Sequence, residues 1–150
     1  MAADRYILLV EDNPNEETLT LHALRENGIT NAVVVARDGV EALDFLFGDD
    51  SQRRPPSARL PAVIVMDLKL PRIDGFELVR RIRAHERSSL IPLVILTGSH
   101  DPNDIREAYR LGANSYVLKP LELGRFVMVI GLLARYWLNL NQTAHTDSGY

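Results

Sequence analysis

Residues 63–66, Val-Ile-Val-Met, form an unbroken apolar run that stops at a carboxylate, Asp67. Pro71, Asp74 and Gly75 follow as turn and helix-start residues. A short run of this kind reads as a strand buried on both faces. Asp67 then stands at the carboxyl end of that strand, where open α/β sheets hold their ligands. Much of the remaining chain can be read as support for that one side chain.

Four further apolar runs, at 6–10, 33–36, 92–97 and 114–118, predict strands of the same type. Between them lie helix signals. Asn13-Pro14 with Glu16 and Glu17 pairs an N-cap and an N1 proline with first-turn acids. Asp38-Gly39, Asp74 and Asp101-Pro102 open three more helices, and a last one is expected over about 121–140. Asn27-Gly28 and Gly112 serve as stops. Five strands alternating with five helices predict a doubly wound α/β fold with a five-stranded parallel sheet. The flavodoxin-like strand order 2-1-3-4-5 is the common solution at this size. One domain over 1–140 is expected, followed by a polar, disordered tail over 141–150. The stretch 47–61, rich in Pro and Arg, is a long loop before the third strand.

Composition narrows the chemistry. The 150 residues contain no cysteine, which removes disulfides, thiolate metal sites and Cys nucleophiles. The net charge of -3 gives no polyanion-binding surface, so no nucleic-acid partner is expected. No export signal or uninterrupted apolar span of membrane length is visible, so a cytoplasmic protein is expected, with no membrane partner.

Polar residues recur where the strands end: Glu11-Asp12, Asp67, Thr97 and Lys119. In the order 2-1-3-4-5 these ends share one sheet edge and converge on one crevice. Carboxylates about 4 Å apart repel by roughly 4 kcal/mol per pair at an effective dielectric near 20. Lys119 offsets part of that, and a hard cation such as Mg²⁺, which prefers oxygen ligands, offsets more. A carboxylate beside a cation, an ammonium and a hydroxyl is suited to in-line attack on a phosphoryl group.

These motifs resemble the receiver domain of two-component response regulators. The resemblance rests on Glu11-Asp12, Asp67, Pro71, Gly75, Thr97-Gly98 and Lys119-Pro120, and covers about 6–138. It implies that Asp67 accepts a phosphoryl group from the phosphohistidine of a sensor histidine kinase. It implies Mg²⁺ ligation by Glu11, Asp12, Asp67 and the backbone carbonyl of Lys69. Thr97 and Tyr116 are similar to the switch pair, Lys119 to the phosphate-pairing lysine, and the Lys119-Pro120 peptide is expected to be cis. Such a protein is not a turnover enzyme: it takes phosphate from a donor and loses it slowly. The start Leu8-Leu9-Val10-Glu11-Asp12-Asn13-Pro14, the long loop and the Tyr136-Trp137-Leu138 ending resemble phytochrome-associated response regulators. A downstream protein partner is implied, because no helix-turn-helix follows Leu140.

The last helix carries a second apolar face, with Met128, Val129, Leu132 and Tyr136, which predicts a homodimer through this helix and the fifth strand. None of His22, His85, His100 or His145 stands where a donor histidine would. Two other classes compete. A Mg²⁺-dependent phosphohydrolase with an Asp nucleophile commonly carries a second acid two residues later, where this chain has Lys69. A flavin-binding module would want an anion-friendly loop after the first strand, where this chain has Glu11-Asp12.

Overall fold

The structure is a computed structural model that describes residues 4–48 and 59–145. Most of the long loop, 49–58, and the tail residues 146–150 lie outside the described residues. Five parallel strands, β1 (Ile7–Val10), β2 (Val33–Ala36), β3 (Val63–Met66), β4 (Leu93–Thr97) and β5 (Ser115–Leu118), form one sheet in the order β2-β1-β3-β4-β5. Five helices alternate with them: α1 (Pro14–Glu26), α2 (Gly39–Phe47), α3 (Gly75–Ala84), α4 (Pro102–Leu111) and α5 (Leu123–Arg135). A π-helical turn, Tyr136–Leu140, extends α5.

The strands form because their residues are apolar on both faces and largely β-branched. Every residue of β1, β3 and β4 is buried, whereas the edge strands β2 and β5 are mostly half-buried. Alternate residues serve opposite layers. Leu8, Val10, Ile64, Met66, Leu93 and Ile95 face the layer that holds Leu78, Val79 and Ile82 of α3. Ile7, Leu9, Val63, Val65, Val94 and Leu96 face the layer that holds Phe126, Ile130 and Leu133 of α5.

Capping side chains set where the helices begin. Asn13 Oδ1 accepts from the amides of Asn15 and Glu16, Asp38 from Glu41, Asp74 from Glu77 and Asp101 from Asn103. Each satisfies amides that a helix start leaves without intrahelical partners. Leu123–Leu140 is long and apolar enough, by length and composition alone, to cross a membrane. Here its inner face, with Ile130, Ala134 and Leu138 buried, packs into a core layer.

Two close approaches lock this frame. Asn27, at the end of α1, donates from Nδ2 to the carbonyls of Ala23 (2.8 Å) and Val127 (2.8 Å), which joins α1 to α5. A Cβ at Gly131 would lie 2.1 Å from Asn27 Oδ1, so a side chain there must displace the Asn27 amide. The half-buried Arg83 guanidinium donates to the carbonyls of Gly112, Ser89 and Ile91 and to Asn114 Oδ1, at 2.8–3.0 Å. It ties the end of α3 to the exit of α4 and the entry of β5. Arg5 donates to the carbonyls of Leu138 and Asn141, which fastens the end of the π-helical turn.

Gly75 opens α3 directly against the segment carrying Asp67. Its amide donates to the Leu68 carbonyl (2.8 Å), and a Cβ there would lie 2.6 Å from Leu68 Cα and 2.8 Å from the Asp67 carbonyl oxygen. Gly75→Ala must therefore displace that backbone. It is expected to destabilise the fold by about 2 kcal/mol, measured by urea denaturation.

Candidate functional site

The sheet brings the strand ends together as parallel pairing requires. Glu11 and Asp67 follow β1 and β3, and their amides donate to Ala36 and Val10 as the ladder runs out. Thr97 closes β4 and is buried. Lys119 follows β5, and its amide donates to the Thr97 carbonyl (2.8 Å). Asp67, Lys69, Thr97, Ser99, Lys119 and Leu121 help line one cleft of about 750 Å³.

The Lys119 ammonium is the centre of this cleft. Nζ lies 3.0 Å from Glu11 Oε1, 3.0 Å from Asp67 Oδ2 and 3.6 Å from Glu16 Oε1. The other Asp67 oxygen, Oδ1, accepts from the amides of Leu68 (2.6 Å) and Lys69 (3.3 Å). Asp67 is thus aimed by its own loop on one side and by Lys119 on the other. Glu11 is buried, and its Oε2 accepts from the Asn13 amide. Burial raises the Glu11 carboxyl above its ordinary value, against the pull of Lys119. Burial alone would lower Lys119, but the attraction of Asp67 and Glu11 holds it above its ordinary value.

Asp12 is exposed and is not among the residues that line the cleft. Among the described residues, no three His, Cys, Asp or Glu side chains form a ready-made metal group. Charge explains the arrangement: Glu11 and Asp67 both turn to the half-buried Lys119 ammonium, which leaves the more solvated Asp12 apart. The donor set is nonetheless all oxygen, as a hard divalent cation prefers.

Thr97 Oγ1 accepts from the Ser99 amide (3.4 Å), and the Tyr116 hydroxyl donates to the Ser99 carbonyl (2.9 Å). Tyr116 therefore bridges β5 to the loop that leaves Thr97. Burial raises its phenol above the ordinary value. The expected cis bond at Lys119-Pro120 is a correction: no described peptide is cis. The trans isomer is favoured for X–Pro by about 0.5–1 kcal/mol, and Lys119 reaches both carboxylates with it.

Glu16 and Ser99 were not anticipated as parts of the site. Glu16 could have been found, because a first-turn acid of a helix that follows β1 lies at the same sheet edge. Ser99 contributes backbone atoms, which leave no trace in residue type.

The family model for the response regulator receiver domain matches residues 7–130. The chain belongs to the response regulator receiver family. Among the relatives of this receiver are the probable methanogenesis regulatory protein FilR2 of Methanothrix harundinacea and the response regulator Rcp1 of Synechocystis. FilR2 is 37% identical, over 91% of this chain and 86% of the relative. Rcp1 is 31% identical, over 89% of each chain. Among solved structures, the phosphorylated cyanobacterial phytochrome response regulator RcpA is 30% identical with a TM-score of 0.82, over 95% of this chain and all of that one. The bacteriophytochrome response regulator AtBRR is 40% identical with a TM-score of 0.72, over 95% and 98%. A Mn²⁺-bound form of Rcp1 is 29% identical with a TM-score of 0.79, over 94% and 99%. The receiver fold and strand order read from the sequence agree with these neighbours. Nothing in the site favours a phosphohydrolase, since Lys69 stands two residues beyond Asp67.

Lys119 stabilises the fold by pairing with two buried or nearly buried carboxylates. Its folded value lies above its ordinary 10.5, so this contribution is full below pH 10.5 and is lost as pH rises through the folded value. Lys119→Met leaves Glu11 and Asp67 without their cation. It is expected to cost about 3 kcal/mol at neutral pH, less as acid protonates Glu11, and to lose the alkaline limb. Urea denaturation at pH 5, 7 and 11 reads all three effects.

Proposed function

We propose that Asp67 is the phosphoacceptor of a two-component phosphorelay. The observation that carries this is the Lys119 ammonium, 3.0 Å from Asp67 Oδ2 inside a cleft shared with Thr97. One Asp67 oxygen attacks the phosphorus of a phosphohistidine on a sensor histidine kinase. A P–O bond forms, the P–N bond breaks, and its electron pair returns to the imidazole. Lys119 pairs with a phosphoryl oxygen, and the Thr97 hydroxyl donates to another. Slow attack of water on phosphorus later returns phosphate and the free carboxylate.

Asp12, Glu11, Asp67 and the carbonyl of Lys69 are the residues that would hold Mg²⁺, and the Mn²⁺-bound form of Rcp1 supports a divalent site. When bound, the ion supplies positive charge against the phosphoryl oxygens. Thr97 and Tyr116 report occupancy: a change at Thr97 alters the loop that Tyr116 grips at Ser99. The message leaves through the face of β4, α4, β5 and α5 toward a downstream protein in the cytoplasm.

The chain of relatives supports a phytochrome-type kinase as donor, through RcpA and AtBRR. A homodimer through α5 is the second element of this reading. Met128, Leu132 and Tyr136 are 53%, 59% and 46% exposed, and Val129 is half-buried beside them. The receiver unit spans 1–140.

Incubation with Mg²⁺ and acetyl phosphate is expected to give an acid-stable, base-labile adduct in the wild type and none in Asp67→Asn, as seen by intact-mass measurement. Rapid multiple turnover would instead favour a hydrolase. Leu132→Glu with Tyr136→Glu is expected to yield a folded monomer by light scattering. A wild type that stays monomeric at high concentration, with and without phosphodonor, sinks the dimer.

A further inference from the structure

The loop between Asp67 and Gly75 contains a backbone feature that the phosphorelay chemistry does not itself require. Arg72 has φ +67 and is the only non-glycine residue with positive φ among the described residues. The Ile73 amide donates to the Pro71 carbonyl (2.8 Å), so Arg72 is the centre of a tight three-residue turn. A side chain with a Cβ is a poor choice there, because glycine or asparagine adopts this conformation more readily. Something must hold it.

The partner is Asp38. Arg72 Nε and Nη2 lie 3.0 and 2.9 Å from Asp38 Oδ2, while Asp38 Oδ1 accepts from the Glu41 amide and caps α2. Asp38 is nearly buried and therefore well placed to fix the arginine, which is itself largely exposed. Beside this pair, Ile73 sits so closely over Gly39 that a Cβ at 39 would lie 2.9 Å from Ile73 Cβ. The far end of the loop is seated at Gly75, and its near end is the pair of amides, Leu68 and Lys69, that aim Asp67. The segment carrying Asp67 is thus clamped to the start of α2, an element with no residue in the cleft.

We propose that Arg72, latched to Asp38, is a positioning residue that sets the Asp67–Gly75 loop for cation and phosphoryl binding. The proposal rests on the reading of the cleft given above. It makes α2, by way of its N-cap, a support of the cleft. Arg72→Gly keeps the backbone conformation without strain and removes the latch, whereas Asp38→Asn keeps a cap and removes the charge.

The test combines amide hydrogen exchange by NMR, Mg²⁺ titration by calorimetry and thermal melting on these two variants, Arg72→Lys and the wild type. Both latch-breaking variants are expected to melt close to the wild type. Exchange at the Leu68 and Lys69 amides should rise about tenfold, and the Mg²⁺ dissociation constant by three- to tenfold, with partial rescue in Arg72→Lys. Unchanged exchange and Mg²⁺ affinity in Arg72→Gly overturn the proposal. So does a loss of affinity that only follows a loss of melting temperature. A wild type that binds no Mg²⁺ overturns the reading of the cleft itself, and the exchange rates alone then decide the latch.

Discussion

The ion cluster at Lys119 constrains the molecule more than any other contact. Strands in a sheet lie about 4.8 Å apart, so the ends of β5 and β1 are separated by the full widths of β4 and β3. An ammonium on one can meet carboxylates on β1 and β3 only if all the ends are level and the side chain crosses the end of β4. Parallel pairing in register, Leu9 with Val65 and Val65 with Val94, makes the ends level. Thr97, small and buried at the tip of β4, lines the same cleft beside Lys119.

The rest of the fold can be understood as making that cluster tolerable. A buried carboxylate without a partner would take up a proton or draw in water. Glu11 is kept in place by one ammonium and one amide, and Asp67 by one ammonium and two amides. The apolar layers on both faces of β1 and β3 leave these groups no other partner on the core side. Function and stability therefore oppose each other here: a site able to take up a cation and a phosphoryl group must keep its negative charges close, and Lys119 moderates the repulsion.

The architecture was legible because two periodicities were clean. The three central strands are apolar at every position but Thr97, the last of β4, and the strand ends carry polar residues in matching places, so the order of strands and the edge of the crevice followed together. The bounds of β2 agree with the run at 33–36, and β1, β4 and β5 each begin one residue later than the runs at 6–10, 92–97 and 114–118. The harder features depend on tertiary context. Arg83 lies in Arg80-Arg81-Ile82-Arg83, which reads as a solvated face, yet its guanidinium is held by carbonyls of two loops. The isomer of Lys119-Pro120 is decided by what surrounds it. That Glu11 turns inward while Asp12 stays in solvent is likewise decided by where the ammonium lies, although both are acids in one dipeptide.

The crossing of α1 and α5 has a consequence for how this chain can vary. Asn27 supplies an amide to the backbone of both helices, and Gly131 supplies the room in which that amide fits. The two residues are coupled: a side chain at 131 displaces the amide, and loss of the amide removes its bonds to Ala23 and Val127. The two positions, 104 residues apart in the chain, form a single packing unit. A chain without the asparagine has room for a side chain at 131, whereas one that keeps it must move the amide to make that room.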